Sequence, residues 1–205
     1  FVIGDEILWD GWLWEDRSKD APMLPMTEIF PMALPEEHRR AIQDVVNRIL
    51  RESGVRLGEF NVETYDTSDG DIFVIEINPR QAGNYIPQLI EEHTGVSLTK
   101  LLVSTAVGDM SYYEFLKTFQ RECHYITCQV VFSKEDGIYE DLYIDPEIER
   151  YVKWKNILAH RGDAVSAGRN AAEAVAFVDL EFDSYETQHR FTDEIEGYIY
   201  PILQK

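Results

Sequence analysis

Cysteine is nearly missing from this sequence. Its two cysteines, Cys123 and Cys128, show no CxxC spacing and have no second pair beside them. That excludes a disulfide framework and a thiolate zinc site and makes a reducing cytoplasm the expected compartment. Long hydrophobic runs are missing too. Residues 72–77 and 98–107, the most apolar stretches, carry charges or are far too short to cross a bilayer. No basic start, apolar middle and small-residue cleavage site open the chain. Phe1 leads directly into strand-like sequence, which predicts that part of the protein precedes it. Positive charge is scarce: 19 Lys and Arg stand against 38 Asp and Glu, a net charge of −19. Such a surface repels phosphate backbones, so neither nucleic acid nor an anionic membrane is an expected partner. The five histidines are scattered, with no HExxH spacing. No glycine-rich phosphate loop, internal repeat or low-complexity tract is present.

The remaining sequence is that of a globular protein. Of its 205 residues 44% are hydrophobic and 28% charged, enough to bury a core. Residues 6–14 look like strand, with Asp10-Gly11 as a hairpin signal. Residues 17–35 hold Pro22, Pro25, Pro31 and Pro35 and predict an irregular connection. Pro35-Glu36-Glu37 suits a helix N-terminus. Ile42, Val45, Val46, Ile49 and Leu50 then keep helical spacing up to Gly54. Strands follow over 59–65 and 71–78, and Pro79 ends the second. Ser97 is an N-cap for a helix over 98–107, and 110–120 forms another. From about Cys123 the texture turns β-rich, with strands over 124–132, 138–144 and 174–182. Residues 184–202 read as a closing helix. The expected fold is α+β, an antiparallel sheet with flanking helices followed by a small C-terminal α/β unit, divided as 1–110 and 111–205.

One pair of strands carries chemistry. Side chains alternate along a strand, so Asn61 and Glu63 share a face, as do Glu76 and Asn78. A two-residue turn at Asp69-Gly70 sets Ser68 against Asp71. Counting outward places Glu63 opposite Glu76 and Asn61 opposite Asn78. Phe60 and Val62 fall on the other face with Ile75 and Ile77. A longer loop with a bulge would shift this register by one and break the pairing. Facing carboxylates destabilise a bare hairpin, and a cation between them removes the cost. Mg²⁺ takes carboxylate and phosphate oxygens, often with only one or two protein acids. Arg80 follows Pro79 and could address either these acids or a phosphoryl group through its planar fork.

The stretch Phe60-Asn61-Val62-Glu63 through Glu76-Ile77-Asn78-Pro79-Arg80 resembles the metal-binding end of the ATP-grasp ligases. The resemblance is strongest over residues 60–108, where Thr94-Gly95-Val96-Ser97-Leu98 also fits, and weaker over 1–14. It implies that Glu63, Glu76 and Asn78 bind one or two Mg²⁺ (Mn²⁺ being the alternative) bridging the phosphates of ATP. It implies that Arg80 stabilises the transferring phosphoryl group or the acyl-phosphate. The fold implied is the C-terminal part of an ATP-grasp module. The C-terminal unit resembles the β-rich extension of the amino-acid ligase branch.

The implied activity is an ATP- and Mg²⁺-dependent carboxylate–amine ligase of the amino-acid or dipeptide type, acting through an acyl-phosphate. Its partners would be a small carboxylate and an amine. The family's phosphate-clamping glycine-rich loop and basic residues have no match here. That implies a missing N-terminal half or a partner chain, with a homodimer compatible and the chain alone inactive. Two alternatives remain open: a carbamoyl-phosphate synthetase or biotin carboxylase relative, and a non-catalytic binding module that keeps the hairpin. Gly83 and Asn84 are expected either to shape the acceptor pocket or to punctuate a loop.

Overall fold

The structure is a computed structural model that describes residues 1–15, 24, 26–67 and 71–204. In chain order the strands are β1 (Val2–Ile3), β2 (Glu6–Ile7), β3 (Leu13–Glu15), β4 (Thr27–Phe30), β5 (Leu57–Gly58), β6 (Asn61–Asp66), β7 (Ile72–Asn78), β8 (Tyr125–Val131), β9 (Gly137–Ile144), β10 (Val152–Ile157), β11 (Ala164–Val165), β12 (Ala176–Phe182) and β13 (Ile199–Leu203). The helices are α1 (Glu36–Glu52), α2 (Ile86–Thr94), α3 (Leu98–Ala106), α4 (Ser111–Leu116), α5 (Pro146–Glu149), α6 (Tyr185–Thr192) and α7 (Ile195–Tyr198). Among the described residues every pairing between these strands is antiparallel, in keeping with the α+β expectation. The chain forms two compact units, Phe1–Gly11 with Ala33–Cys123, and Trp12–Met32 with His124–Lys205.

In the first unit α1 begins behind Pro35 with Glu36 and Glu37 in its first turn, where acids complement the helix dipole. Ile42, Val46 and Leu50 recur at intervals of four and form its buried stripe. That stripe packs with Val2 and with Phe60, Val62 and Ile72 of the β6–β7 region. One face of the β6–β7 hairpin is thereby committed to a core. A second cluster gathers Phe1, Ile3, Leu101, Tyr112 and Tyr113. The Ser97 hydroxyl accepts from Lys100 N at 3.4 Å and caps α3. Gly95 closes α2 at φ 74°, a left-handed conformation that costs glycine little. A Cβ there would also come within 3.0 Å of Phe119.

The second unit holds a five-stranded sheet in the order β10-β12-β8-β4-β3 and a three-stranded sheet β11-β9-β13. Residues Ile126 through Val131 are all buried, the mark of a central strand covered on both faces. Gln188 of α6 is buried and its Nε2 donates to Phe30 O, Ile126 O and Thr127 Oγ1. One side chain thus ties the helix to β4 and β8.

Three expectations are corrected. The hairpin turn sits at Gly4-Asp5 between β1 and β2, with Gly4 at φ 60°, and not at Asp10-Gly11. Asp10 instead accepts from Gly11 N at 2.8 Å where one unit gives way to the other. Leu8 and Trp9 pack in the first unit, while Trp12 stacks on Phe30 in the second. The proline-rich connection contains a strand: Thr27–Phe30 is fully buried and pairs with both β3 and β8. Pro31 bounds this strand rather than forbidding it, and residues 16–23 and 25 of that stretch lie outside the described residues. Finally, 184–202 is not one helix. After α6 and the short α7, Ile199–Leu203 pairs with β9 as an edge strand. Pro201 has no N–H to continue a helix, whereas a sheet edge tolerates it.

Candidate functional site

The β6–β7 hairpin brings the four expected residues together. Asn61 pairs with Asn78, Val62 with Ile77 and Glu63 with Glu76. Beyond Glu63 the register shifts by one, so that Thr64 pairs with Val74, Tyr65 with Phe73 and Asp66 with Ile72. Ile75 is left without a partner, a β-bulge. The Asp69-Gly70 turn lies outside the described residues. The pairing nearest the turn is one residue off a two-residue-turn register, with Thr67 N donating to Asp71 O. The bulge restores that residue before Glu76. Two departures from the simplest hairpin cancel, and the acids still face each other.

The bulge changes one assignment. Counted from Phe73, Ile75 stands on the polar face rather than beside Val62, and it is 47% exposed. The face that carries Asn61, Glu63, Glu76 and Asn78 therefore also presents Tyr65, Phe73 and Ile75. All three are exposed apolar side chains, and they border the acids with an apolar margin.

Electrostatics follow from this placement. Burial pushes the Glu63 carboxyl above its ordinary pKa, and the like charge of Glu76 adds to the rise. Asn78 holds a buried Nδ2 with no hydrogen-bond partner. Among the described residues no group of three or more His, Cys, Asp and Glu could cage a metal. A cation at this face would therefore need ligand oxygens beside the two carboxylates and the Asn78 carboxamide. Such a donor set suits Mg²⁺ shared with phosphate. Two facing carboxylates, with the pKa of Glu63 raised, and a neighbouring carboxamide oxygen fit that role.

Arg80 lies just past β7. Its backbone N bonds Asn78 O at 2.8 Å, and its Nη1 donates to Gln81 O at 2.7 Å. Gln81 Nε2 donates to Thr99 Oγ1 in the first turn of α3 at 3.2 Å. Glu59, immediately before β6, is 7% exposed, and its Oε2 has no hydrogen-bond partner. Burial raises its pKa, opposed by a hydrogen bond from Gln81 and by the charge of the Phe1 amino group. Asn84 and Tyr85 adopt φ 49° and 64°, strained values for side chains that carry a Cβ. Sequence reasoning named Asn84 and missed Gln81, Glu59 and Tyr85. A glutamate placed directly before an apolar-alternating strand was the only available signal.

Cys123 is exposed and Cys128 buried, both as free thiols. His124 pairs with Glu181, His160 with Asp163 and His189 with Asp193, all in the second unit. No helix among the described residues is long and apolar enough to cross a membrane.

No protein-family model matches the chain. It is 28% identical over 185 residues to protein y4rH of Sinorhizobium fredii, covering 78% of this chain and 37% of that protein. It is also 28% identical over 151 residues to the carbamoyl phosphate synthase large chain of Mycobacterium sp. (strain JLS), covering 72% of this chain and 13% of that one. The chain thus spans well under half of the curated relatives it matches. Among solved structures, phosphoribosylglycinamide synthetase from Anaerococcus prevotii superposes with a TM-score of 0.80 at 16% identity, over 100% of this chain and 52% of that one. L-amino acid ligase from Bacillus licheniformis follows at TM-score 0.75 and 23% identity, over 89% of this chain and 45% of that one. The biotin carboxylase domain of the Hydrogenobacter thermophilus 2-oxoglutarate carboxylase reaches 0.57 at 18% identity, over 88% and 40%. The chain has the fold of the ATP-grasp ligases.

Proposed function

We propose that the chain is part of an ATP- and Mg²⁺-dependent carboxylate–amine ligase of the amino-acid or dipeptide type, working through an acyl-phosphate. One observation carries this reading. Glu63 faces Glu76, and Asn61 faces Asn78, on the side of a hairpin whose other side is built into a core. Glu63, Glu76 and Asn78 would hold the metal. A bound Mg²⁺ supplies neutralisation of phosphate oxygens. Arg80 offers a planar fork of N–H donors to the charge on a transferring phosphoryl group. In the reaction, a substrate carboxylate oxygen attacks the γ-phosphorus, and ADP leaves. The amine then attacks the acyl carbon, and phosphate leaves with the carbon–oxygen bond electrons. The substrates, the cytoplasmic setting and a contribution from residues outside this chain belong to the same proposal. The length of the relatives supports the last of these.

The amino-acid branch is supported by the TM-score of 0.75 to an L-amino acid ligase, above the 0.57 to the biotin carboxylase domain and just below the 0.80 to phosphoribosylglycinamide synthetase. A carbamoyl-phosphate synthase-like activity is the second reading, supported by 28% identity over 72% of this chain. Titration calorimetry with MgATP and MgADP tests the common ground. The wild-type protein is compared with the Glu63→Gln/Glu76→Gln double variant. Nucleotide binding should require Mg²⁺ and vanish in the variant. Binding of equal strength in both proteins, or indifference to Mg²⁺, would overturn the metal assignment.

A further inference from the structure

Arg80 is exposed, and a free arginine side chain on a surface samples many rotamers. This one does not stand free. Its Nη1 reaches the main-chain carbonyl of the next residue at 2.7 Å, a short, charge-assisted hydrogen bond. The carbonyl that receives it belongs to Gln81, whose side chain is anchored at its far end by Thr99 Oγ1. Thr99 lies in the first turn of α3, behind the Ser97 cap. That helix is rooted by Leu101, which is 0% exposed within the first unit's core. The Gln81 carboxamide also bonds the buried carboxyl of Glu59, which stands at the start of the acid-bearing hairpin.

We propose that Gln81 is a positioning residue for Arg80: pinned by Thr99 and Glu59, it fixes the carbonyl that holds the guanidinium in one orientation just past β7. The inference deepens the functional reading above and rests on it for what Arg80 does. The orientation itself is independent of that reading. Gln81 joins two elements that sequence keeps apart, the β6 strand start and the α3 N-terminus. Truncating it at Cβ removes both anchors while leaving the Gln81 carbonyl and the Arg80 side chain in place.

Two measurements test the proposal separately. The first is the heteronuclear NOE of the Arg80 Nε–Hε group in ¹⁵N-labelled protein, with its resonance identified by loss in Arg80→Lys. In wild type the NOE should approach that of the backbone amides, well above that of exposed Arg48. In Gln81→Ala and Thr99→Val it should fall to the Arg48 level, and Thr99→Ser, which keeps the hydroxyl, should restore it. An Arg80 signal as mobile in wild type as Arg48, or one unchanged in Gln81→Ala while backbone amides stay in place, overturns the proposal. The second is ATP turnover by the full protein. Misaiming a group by ~1 Å can cost on the order of 10²-fold in rate, so Gln81→Ala should lower kcat by about tenfold to a hundredfold. KM for MgATP should stay within about twofold, as expected for an interaction made only in the transition state. A change in KM alone overturns the aiming role. If wild type shows neither nucleotide binding nor turnover, the functional reading fails, and the NOE alone decides the positioning.

Discussion

Replacing Glu76 with glutamine removes one of two facing charges without changing the shape of the hairpin. Glu63 and Glu76 are direct cross-strand partners, a geometry that sets Cβ atoms about 4.5–5.5 Å apart. At roughly 5 Å two unit charges repel by about 0.8 kcal/mol in bulk water and about 3 kcal/mol at an effective dielectric of 20. Glu76 is exposed and Glu63 half-buried, so screening keeps the cost near the lower end, about 1 kcal/mol. Glu76→Gln should therefore raise Tm in metal-free buffer at neutral pH, by about 2–4 °C for a chain of this size. Saturating Mg²⁺ should raise Tm in wild type and do much less in the variant, because a ligand stabilises only the state that binds it.

The pH dependence follows from the direction of the Glu63 shift. Its carboxyl lies above the ordinary value through burial and then through the Glu76 charge. Between the ordinary value and the raised one, the folded protein keeps a proton that the unfolded chain has released. Stability contributed by Glu63 is thus present below this window and declines as pH rises through it. Glu76→Gln should flatten that decline. Calorimetric melts across the carboxylate range, with and without MgCl₂, read both effects. A lower Tm for Glu76→Gln without metal, or an equal Mg²⁺ response in both proteins, would refute the reasoning.

Gln188→Ala leaves two main-chain carbonyls and the Thr127 hydroxyl in the second unit without their shared donor. It should cost about 2–3 kcal/mol in urea unfolding, and Gln188→Glu should not rescue it, because a carboxylate cannot donate. Ser97→Ala removes the α3 cap and should cost about 1 kcal/mol, with Ser97→Asp restoring most of it in thermal melts.

Much of the site was legible because it depends on local rules. Alternation put Glu63 with Asn61 and Glu76 with Asn78, and the turn count set them face to face. The count succeeded although Ile75 forms a bulge, because the pairing of Thr67 with Asp71 is already one residue off the counted register and the bulge shifts it back. α1 and α3 were legible from Pro35, the Ile42–Val46–Leu50 spacing and the Ser97 cap. Gln81 and Glu59 were not, since their importance lies in contacts with each other and with Thr99, eighteen residues beyond Gln81. Nor could the left-handed Tyr85 be foreseen in a residue type that rarely accepts φ 64°.

By itself the sequence determined the acid-bearing hairpin, the capped start of α3 and the four-residue apolar spacing of α1. These follow from nearest neighbours, which fix side-chain alternation and helix ends. Only the tertiary structure decided that Thr27–Phe30 is a central strand between β3 and β8, that Ile199–Leu203 ends the chain as an edge strand on β9, and that Arg80 is held through Gln81. Strands acquire their hydrogen bonds from partners far along the chain, and Phe30 meets Ile126 across ninety-odd residues. Such pairing is chosen by which surfaces can be buried together, and no short stretch of sequence contains that information.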